Sequence, residues 1–353
     1  MNSRSRRRAY ATGSIALIGA LALAGCSQGT AEAGDTASTE FVFVGTGGSY
    51  QDAQRAAMLD PFMEESGISY VEDSPATWTK MTAQVDAGNV TWDVVEALPY
   101  YAIDACGDYL EKIDYDIVDV SAIDPALVSE CGVPNMRTAF LLVYNTEKYG
   151  DAPPTSWADF YDTEKFPGTR GMMGNEHDGS LETALLADGV ATDDLYPLDY
   201  DRAFSVLDGV ADDTVFFETG AQMQESLESG AVDMIIAWPG RAYQAAVNGA
   251  PLGTVWNQPI YYWDVFAVPK GAPNKDAAME FINYAIQPEP QAAMTEGIGY
   301  APINPEATPE IPETMAQFIP SGQDDGTGVN RDMQWWADNL ADAAERWTAW
   351  ISR

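Results

Sequence analysis

Short apolar runs alternate with amphipathic stretches along most of the chain. Runs rich in β-branched and aromatic residues are typical of buried strands, and they lie at 41–44, 92–95, 139–144, 234–238 and 260–268. Stretches with helical periodicity lie at 49–65, 77–87, 180–188, 199–208, 221–229, 275–286 and 332–351. Because strands that alternate with helices are typical of layered proteins, the pattern predicts an α/β fold with largely parallel sheets.

The first of these helices carries a start signal. Ser49 is followed three residues later by Asp52, which is a capping-box signature. A glycine-rich turn at 45–48 separates this position from the preceding strand. We therefore expect Ser49 to cap a helix that runs to about residue 65.

The N-terminal segment 1–25 has the organisation of a signal peptide. Four arginines precede an apolar run at 14–24, which is too short to span a bilayer. The LAGC segment that ends at Cys26 matches the bacterial lipobox, so we expect cleavage before Cys26 and lipidation of its thiol. An ordinary signal peptide is the alternative. Residues 26–39 read as a flexible tether. The protein is thus expected outside the cytoplasm, lipid-anchored to the outer face of the cytoplasmic membrane, at the cell surface or in the periplasm.

The two remaining cysteines suit such a compartment. Cys106 and Cys131 would lie in an oxidising space, where a disulfide persists. Closing a loop of that length would stabilise the fold by roughly 3 kcal/mol on the chain-entropy model. Two free buried thiols are the alternative, because spacing along the chain does not supply the geometry of a bond.

Length and charge narrow the class of protein further. More than 320 residues follow the signal segment, so two domains are expected. The formal net charge is −36, with 54 acidic residues against 18 basic ones. Nucleic acid is excluded as a partner because phosphate binding needs the opposite sign. The acidity indicates a surface suited to high salt or acid, or a field that enriches cationic solutes.

Several short segments recur in an order and spacing that are specific in combination. They are 41–62, 92–95, 157–168, 195–199, 238–241, 268–274 and 298–304. Together they resemble the polyamine and 4-aminobutanoate branch of the type II periplasmic solute-binding proteins, the capture components of bacterial ABC importers. The resemblance spans essentially the whole chain after the tether, and the branch includes receptors for putrescine, spermidine and 4-aminobutanoate.

The resemblance implies two α/β lobes joined by crossover strands, with the ligand in a cleft between them. Lobe one would comprise 40–142 and 265–353, and lobe two 143–264. Hinge closure around the solute is the expected motion. The implied partners are a small amine or zwitterion and the permease subunits of the importer, with the receptor itself a monomer and no cofactor required.

The C-terminal helix has an apolar stripe. Trp336, Leu340, Trp347 and Ile351 follow one another at spacings of 4, 7 and 4. Such spacing places the four side chains on one helix face. We expect this face to pack against lobe one.

Asp264 is the first candidate binding residue, because it lies inside the aromatic run 261–266. A carboxylate there loses hydration and needs a cation or several donors to stay charged. The resemblance implies that Asp264 receives a ligand ammonium, with Trp263 and the neighbouring tyrosines as a cation–π wall. A structural partner, such as an arginine elsewhere in the chain, is the alternative.

Arg241 is the second candidate, because it follows a strand and a Pro-Gly turn at the start of a predicted helix. The helix dipole disfavours a cation there and favours an anion, so a retained arginine suggests a bound carboxylate. Receptors for 4-aminobutanoate-like solutes in the branch carry arginine here. A salt bridge to a surface acid is the alternative. With Asp264 for the amine, the site would be specific for zwitterions.

The resemblance adds further candidates. Gly48 and Ser49 lie at a strand-to-helix turn that can offer N–H groups to an anionic end. Tyr100 and Tyr101 follow a strand where the family places an aromatic wall of the cleft. Glu176 lies near the acids that hold a second amine in polyamine receptors.

The ligand that these residues imply is a short ω-amino acid such as 4-aminobutanoate. Gly179 occupies the position of the next acid in polyamine receptors, which favours a short ligand over a long polyamine. Putrescine or spermidine is the alternative.

Other classes of protein find less support in the residues. His177 is the single histidine, so a catalytic triad or a multi-histidine zinc site would depend on one residue. We therefore expect a binding protein rather than an enzyme. A ferric-ion receptor, with the adjacent Tyr261 and Tyr262 as ligands, is a further alternative.

Overall fold

The computed structural model describes residues 40–320, 323 and 326–353. The expected signal peptide, lipidation site and tether lie outside the described residues. Across the described ranges, no helix combines the length and the apolar character needed to cross a membrane.

The described residues contain nine strands. They are β1 (Glu40–Val44), β2 (Ser69–Asp73), β3 (Val94–Ala97), β4 (Val133–Asn145), β5 (Arg170–Met173), β6 (Thr214–Phe217), β7 (Met234–Ala237), β8 (Leu252–Ala267) and β9 (Val329–Asn330).

They also contain fourteen α-helices. They are α1 (Gly48–Gln54), α2 (Asp60–Ser66), α3 (Trp78–Asp86), α4 (Pro99–Asp104), α5 (Thr146–Tyr149), α6 (Trp157–Tyr161), α7 (Ser180–Ala187), α8 (Tyr200–Asp208), α9 (Gly220–Ser229), α10 (Pro239–Val247), α11 (Lys275–Ala285), α12 (Pro288–Ile298), α13 (Glu313–Ala316) and α14 (Met333–Ile351). A π-helical turn, Arg55–Leu59, joins α1 to α2.

The strands form one mixed sheet in the order β2-β1-β3-β8-β4-β7-β5-β6, with β9 beside β8. β1 is parallel to β2 and β3, and β5 is parallel to β6 and β7. The long strands β4 and β8 are antiparallel to each other and to the outer strands that they join. The α/β prediction is therefore confirmed, while the expectation of largely parallel sheets holds only on either side of this central pair.

Aromatic side chains fill the cores on both sides of the sheet. Phe41 and Phe43 of β1 pack against Phe281 of α11, with ring centroids 5.1 and 5.6 Å apart. Trp157 of α6 lies in a second cluster, where its indole N–H donates to the Gln258 backbone oxygen at 2.8 Å. Burying such large rings supplies much of the apolar area that stabilises the fold.

The C-terminal helix packs differently from the prediction. Trp336 contacts Tyr100 of α4, at a centroid distance of 6.3 Å. Trp347 and Trp350 instead pack against Phe204 of α8. Ile351, predicted in the buried stripe, is 38% exposed, while Trp350 is 5% exposed. Trp336 and Trp347 are thus buried as predicted, while Trp350 takes the place of Ile351, and this face contacts residues assigned to both lobes.

Two other local predictions have clear outcomes. Cys106 and Cys131 form a disulfide, with Cα atoms 5.4 Å apart. The predicted capping box is wrong, because α1 begins after Gly47 and Ser49 lies within the helix. The Ser49 hydroxyl bonds to residues far away in the sequence.

Candidate functional site

A cleft of about 390 Å³ opens where several helices begin next to strand ends. α1, α3, α9 and α10 each contribute residues from their first turn or the turn before it. Helix starts carry free N–H groups and positive dipole ends, so such a cleft favours an anionic group at this side. The residues that carry polar or aromatic groups into the cleft are Tyr50, Trp78, Trp92, Glu96, Tyr101, Asn175, His177, Asp178, Glu218, Thr219, Trp238, Arg241, Tyr262, Asp264 and Tyr300.

Arg241 lies in the first turn of α10 and is only 4% exposed. Pro239 favours this helix start, because its fixed backbone angle suits the first helical position. Arg241 Nη1 donates to Ser49 Oγ at 2.7 Å, and Nη2 donates to the Gly47 carbonyl at 3.2 Å. Both partners are neutral, and Arg241 forms no ion pair with a described carboxylate. Its buried charge is therefore available to a ligand anion.

Two glycines make room for this guanidinium. A Cβ atom at Gly48 would lie 3.1 Å from Arg241 Nη1, and one at Gly220 would lie 2.8 Å from Nε. Gly48 also has a φ of +64°, which favours glycine. Gly48 and Ser49 thus hold the arginine rather than line the cleft themselves. The Trp238 indole N–H, buried at the cleft without a described partner, adds a donor near the same place.

Asp264 lies in β8 and also lines the cleft. Its carboxylate has no hydrogen bond or ion pair to any described residue. Lost hydration raises its pKa well above the usual value, and the charges of Glu96 and Asp178 raise it further. A carboxylate in this state gains more from a cationic ligand than a hydrated one does.

Glu96, in the neighbouring strand β3, also lines the cleft. Its Oε1 accepts hydrogen bonds from Gln54 at 3.0 Å, from Asn135 at 2.9 Å and from the Tyr50 hydroxyl. Burial raises the pKa of Glu96 to about 7, although these hydrogen bonds act to lower it. The cleft therefore has two neighbouring carboxyl groups where one was expected.

The aromatic wall of the cleft includes Tyr262, one of the tyrosines expected there, but not Trp263. Side chains alternate along a strand, so Tyr262 and Asp264 face the cleft while Trp263 points to the opposite face. Tyr101 lines the cleft as predicted and stacks on Trp78, with centroids 4.4 Å apart and planes at 14°. Tyr100 is fully buried behind it, so it supports the wall without lining it.

Glu176 also lies off the cleft. Its carboxylate pairs with His177 Nδ1 at 2.9 Å, and the next residue, Asp178, lines the cleft instead. Asp178 accepts a hydrogen bond of 2.5 Å from Asn175. Burial alone would lower the pKa of His177, but its hydrogen bond to the Glu176 carboxylate and nearby acid charges raise it. The pair Glu176–His177 thus forms part of the frame around Asp178.

The structure argues against the metal alternative. Tyr262 faces the cleft, whereas the Tyr261 ring lies on the other face, 4.8 Å from the Arg137 guanidinium. The two phenols cannot both bind one ion. Within the described ranges, no group of three or more histidine, cysteine or acidic side chains is arranged to hold a metal.

Several residues of the cleft were not predicted from the sequence. One signal was available, because Glu96 lies in an apolar strand just as Asp264 does, and the same desolvation argument applies to both. The others could not be placed without the fold, because they lie in loops and near helix starts that carry no such signal. The unpredicted cleft residues include Glu96, Asn175, His177, Asp178, Trp238 and Tyr300.

Comparison with known proteins gives consistent matches. Residues 57–318 match the family described as bacterial extracellular solute-binding protein. The chain is 34% identical to the γ-aminobutyric acid-binding protein of Pseudomonas aeruginosa, over 92% of this chain and 94% of that protein. It is 25% identical to the spermidine/putrescine-binding periplasmic protein of Escherichia coli, over 70% and 74%. The solved Atu4243-GABA receptor superposes with a TM-score of 0.81 at 40% identity, covering 88% of this chain and 97% of that one.

Proposed function

The chain belongs to the family of bacterial extracellular solute-binding proteins, and we propose that it captures 4-aminobutanoate or a close ω-amino acid for an ABC importer. Proteins of this family work outside the cytoplasm, binding small solutes for permease subunits in the membrane. The proposal therefore concerns the identity of the solute and the residues that select it.

One observation carries the proposal. Arg241 and Asp264 both face the cleft, and neither has an oppositely charged partner among the described residues. A zwitterion would supply both missing charges at once, its carboxylate to the guanidinium and its ammonium to the carboxylate. An unpaired charge that has lost hydration is unfavourable, so such a ligand gains affinity by pairing both of these charges.

The surrounding groups support this orientation. Trp238 and the starts of α1, α9 and α10 offer N–H donors on the Arg241 side, where a carboxylate fits. Glu96 and Tyr262 lie on the Asp264 side, where a carboxylate and an aromatic face suit an ammonium. Two relatives named for γ-aminobutyric acid, at 34% and 40% identity, favour the same solute.

Polyamine capture is the second candidate. It is favoured by the third acid, Asp178, which lines the cleft and can hold another amine, and by the match to the spermidine/putrescine-binding protein. Arg241 opposes it, because a diamine places a second cation where the guanidinium already lies.

The remaining features of the proposal concern architecture and location. Lobe one at 40–142 and 265–353 would close by hinge motion onto lobe two at 143–264, which encloses the solute. Cys26 would carry a lipid that holds the protein at the outer face of the cytoplasmic membrane. The receptor would act as a monomer, without a cofactor and without enzymatic activity.

Calorimetric titration of the purified protein tests the solute directly. The panel is 4-aminobutanoate, taurine, putrescine, spermidine and glycine betaine. We expect tight binding of 4-aminobutanoate and no heat with the two polyamines. Binding of the polyamines alone would overturn the zwitterion site and favour the second candidate.

A further inference from the structure

Glu96 and Asp264 are diagonal neighbours across paired strands. Glu96 of β3 lies opposite Phe266 of β8, and Asp264 lies two residues from Phe266, on the same face of the strand. Such diagonal positions have Cα atoms about 7–8 Å apart, within reach of long side chains. Both residues line the cleft. Two acids therefore meet at the place where the ligand ammonium is proposed to bind.

We propose that Glu96 is the second carboxylate of the ammonium subsite, and that the Glu96–Asp264 pair holds one shared proton until a primary ammonium replaces it. This inference extends the proposed function. It depends on that function in one respect only, namely that the ligand is an amine. It assigns a selective role to a residue outside the zwitterion pair Arg241–Asp264.

The contacts of Glu96 leave one oxygen for this role. The side chain is 6% exposed, and Oε1 is occupied by Tyr50, Gln54 and Asn135. Oε2 is buried without a hydrogen-bond partner among the described residues, and the Thr46 backbone acts to lower the pKa of the group. A shared proton or a ligand N–H satisfies this oxygen, which otherwise remains a buried acceptor without a donor.

The groups that face the pair supply no neutralising cation. Burial raises the pKa of Tyr50, Tyr262 and Tyr300 above the usual value, so these phenols stay neutral near pH 7. Asp178 adds negative charge to Asp264. The charges that raise the pKa of Asp264 are those of Glu96 and Asp178, both negative, while the Arg241 charge lowers the pKa of Tyr300. Two like charges in this setting favour retention of one proton between them.

The exchange balances in charge and in atoms. The empty pair with one proton has a net charge of −1. When a ligand R–NH₃⁺ binds, the O–H bond of the pair breaks and the proton passes to a buffer base. The pair then carries −2 and the ammonium +1, so the subsite again has a net charge of −1. A primary ammonium has three N–H donors to divide between the two carboxylates, whereas a quaternary one has none.

Two measurements on the full chain test the proposal. The first titrates 4-aminobutanoate at pH 6 in two buffers of different ionisation enthalpy, which gives the number of protons released. Wild type should release close to one proton per ligand and Glu96→Gln less than half of that. Glu64→Gln, which removes an exposed acid of α2 that does not line the cleft, should release as many protons as wild type. Equal release by wild type and Glu96→Gln would overturn the proposal.

The second measurement needs no ligand. Carboxyl ¹³C resonances of the empty protein, labelled at aspartate and glutamate, should include two coupled groups that titrate well above the other acids. Both should change in Glu96→Gln and in Asp264→Asn. Two fully ionised carboxylates at pH 6 would overturn the shared proton even if 4-aminobutanoate binds. If 4-aminobutanoate gives no heat but the coupled titration is present, the solute assignment fails and the pair stands.

Discussion

The Ser49 hydroxyl accepts a 2.7 Å hydrogen bond from the Arg241 guanidinium, across 192 positions of sequence. The same hydroxyl donates to Gln224 of α9 at 3.2 Å. Elements α1, α9 and α10 therefore meet around one buried cation. Because positive helix ends and a guanidinium repel one another, the arrangement favours a bound anion that lies between them.

Ser49→Ala should weaken 4-aminobutanoate binding by about 10- to 150-fold, because a hydrogen bond to a charged group contributes roughly 1.5–3 kcal/mol. The variant leaves Arg241 in place but no longer fixes its orientation. Calorimetry measures the change, with Ser66→Ala as the control, since the Ser66 hydroxyl bonds only within its own helix region. Unchanged affinity in Ser49→Ala would show that Arg241 is oriented without it.

Arg241→Ser should reduce 4-aminobutanoate affinity by about 100-fold or more, because it leaves the ligand carboxylate without its charged partner. Putrescine affinity should not fall, since the variant removes only a repulsive charge. The surface substitution Arg202→Ser, which removes an arginine paired with Asp188, is the control. A loss of 4-aminobutanoate affinity together with a clearly lower melting temperature of the empty variant would mean that Arg241 acts through the fold.

Asp264→Asn should abolish detectable binding of 4-aminobutanoate without lowering the stability of the empty protein. The carboxylate has no described partner to lose, and its removal relieves the unfavourable burial of charge. Thermal unfolding with and without ligand separates the two effects. A clearly lower melting temperature of the empty variant would indicate that Asp264 has a structural partner instead.

The free energy of unfolding of the empty protein should depend on pH through Glu96. The folded-state pKa of Glu96 is about 7, above its ordinary value of 4.5, so the folded state holds more protons than the unfolded one in this range. The contribution of Glu96 to stability therefore falls as the pH rises from about 4.5 to above 7. Relative to wild type, Glu96→Gln should gain up to about 3 kcal/mol over that range.

Chemical denaturation from pH 4.5 to 8 checks this prediction. Glu218→Gln serves as the control and should follow wild type across the range. A constant difference between Glu96→Gln and wild type would contradict the raised pKa.

The disulfide should matter for stability and not for binding. Cys106 and Cys131 are separated by 25 positions, and opening a loop of that length removes roughly 3 kcal/mol on the chain-entropy model. The double variant Cys106→Ser/Cys131→Ser should therefore unfold at lower denaturant concentration. Its affinity for 4-aminobutanoate, measured at 25 °C, should equal that of wild type. A matching loss of affinity would place the loop in the binding site.

Sequence patterns predicted the buried frame of the fold well. β1, β7 and the second half of β8 were predicted because apolar β-branched and aromatic residues are concentrated there. β5 was missed because Arg170-Gly171-Met172-Met173 has none of these residues, and it forms a strand through its partners β6 and β7. Tertiary pairing overrode local preference there.

The sequence predicted the candidate site at positions where a charged residue lies in an unfavourable environment. Arg241 at a helix start and Asp264 in an aromatic strand are each unfavourable without a partner, and both line the cleft. The predictions of Trp263 and Glu176 lie one and two residues from the cleft residues Tyr262 and Asp178, because the facing of a strand and the direction of a loop decide between neighbours. Ser49 was assigned to its own helix, because its partner Arg241 is distant in the sequence.

A crystal structure with bound 4-aminobutanoate tests the central claim most directly. The ligand carboxylate should lie within hydrogen-bond distance of the Arg241 guanidinium, and the ammonium should contact Asp264 and Glu96. A ligand bound with its ammonium toward Arg241, or bound without contact to either Arg241 or Asp264, would contradict the account.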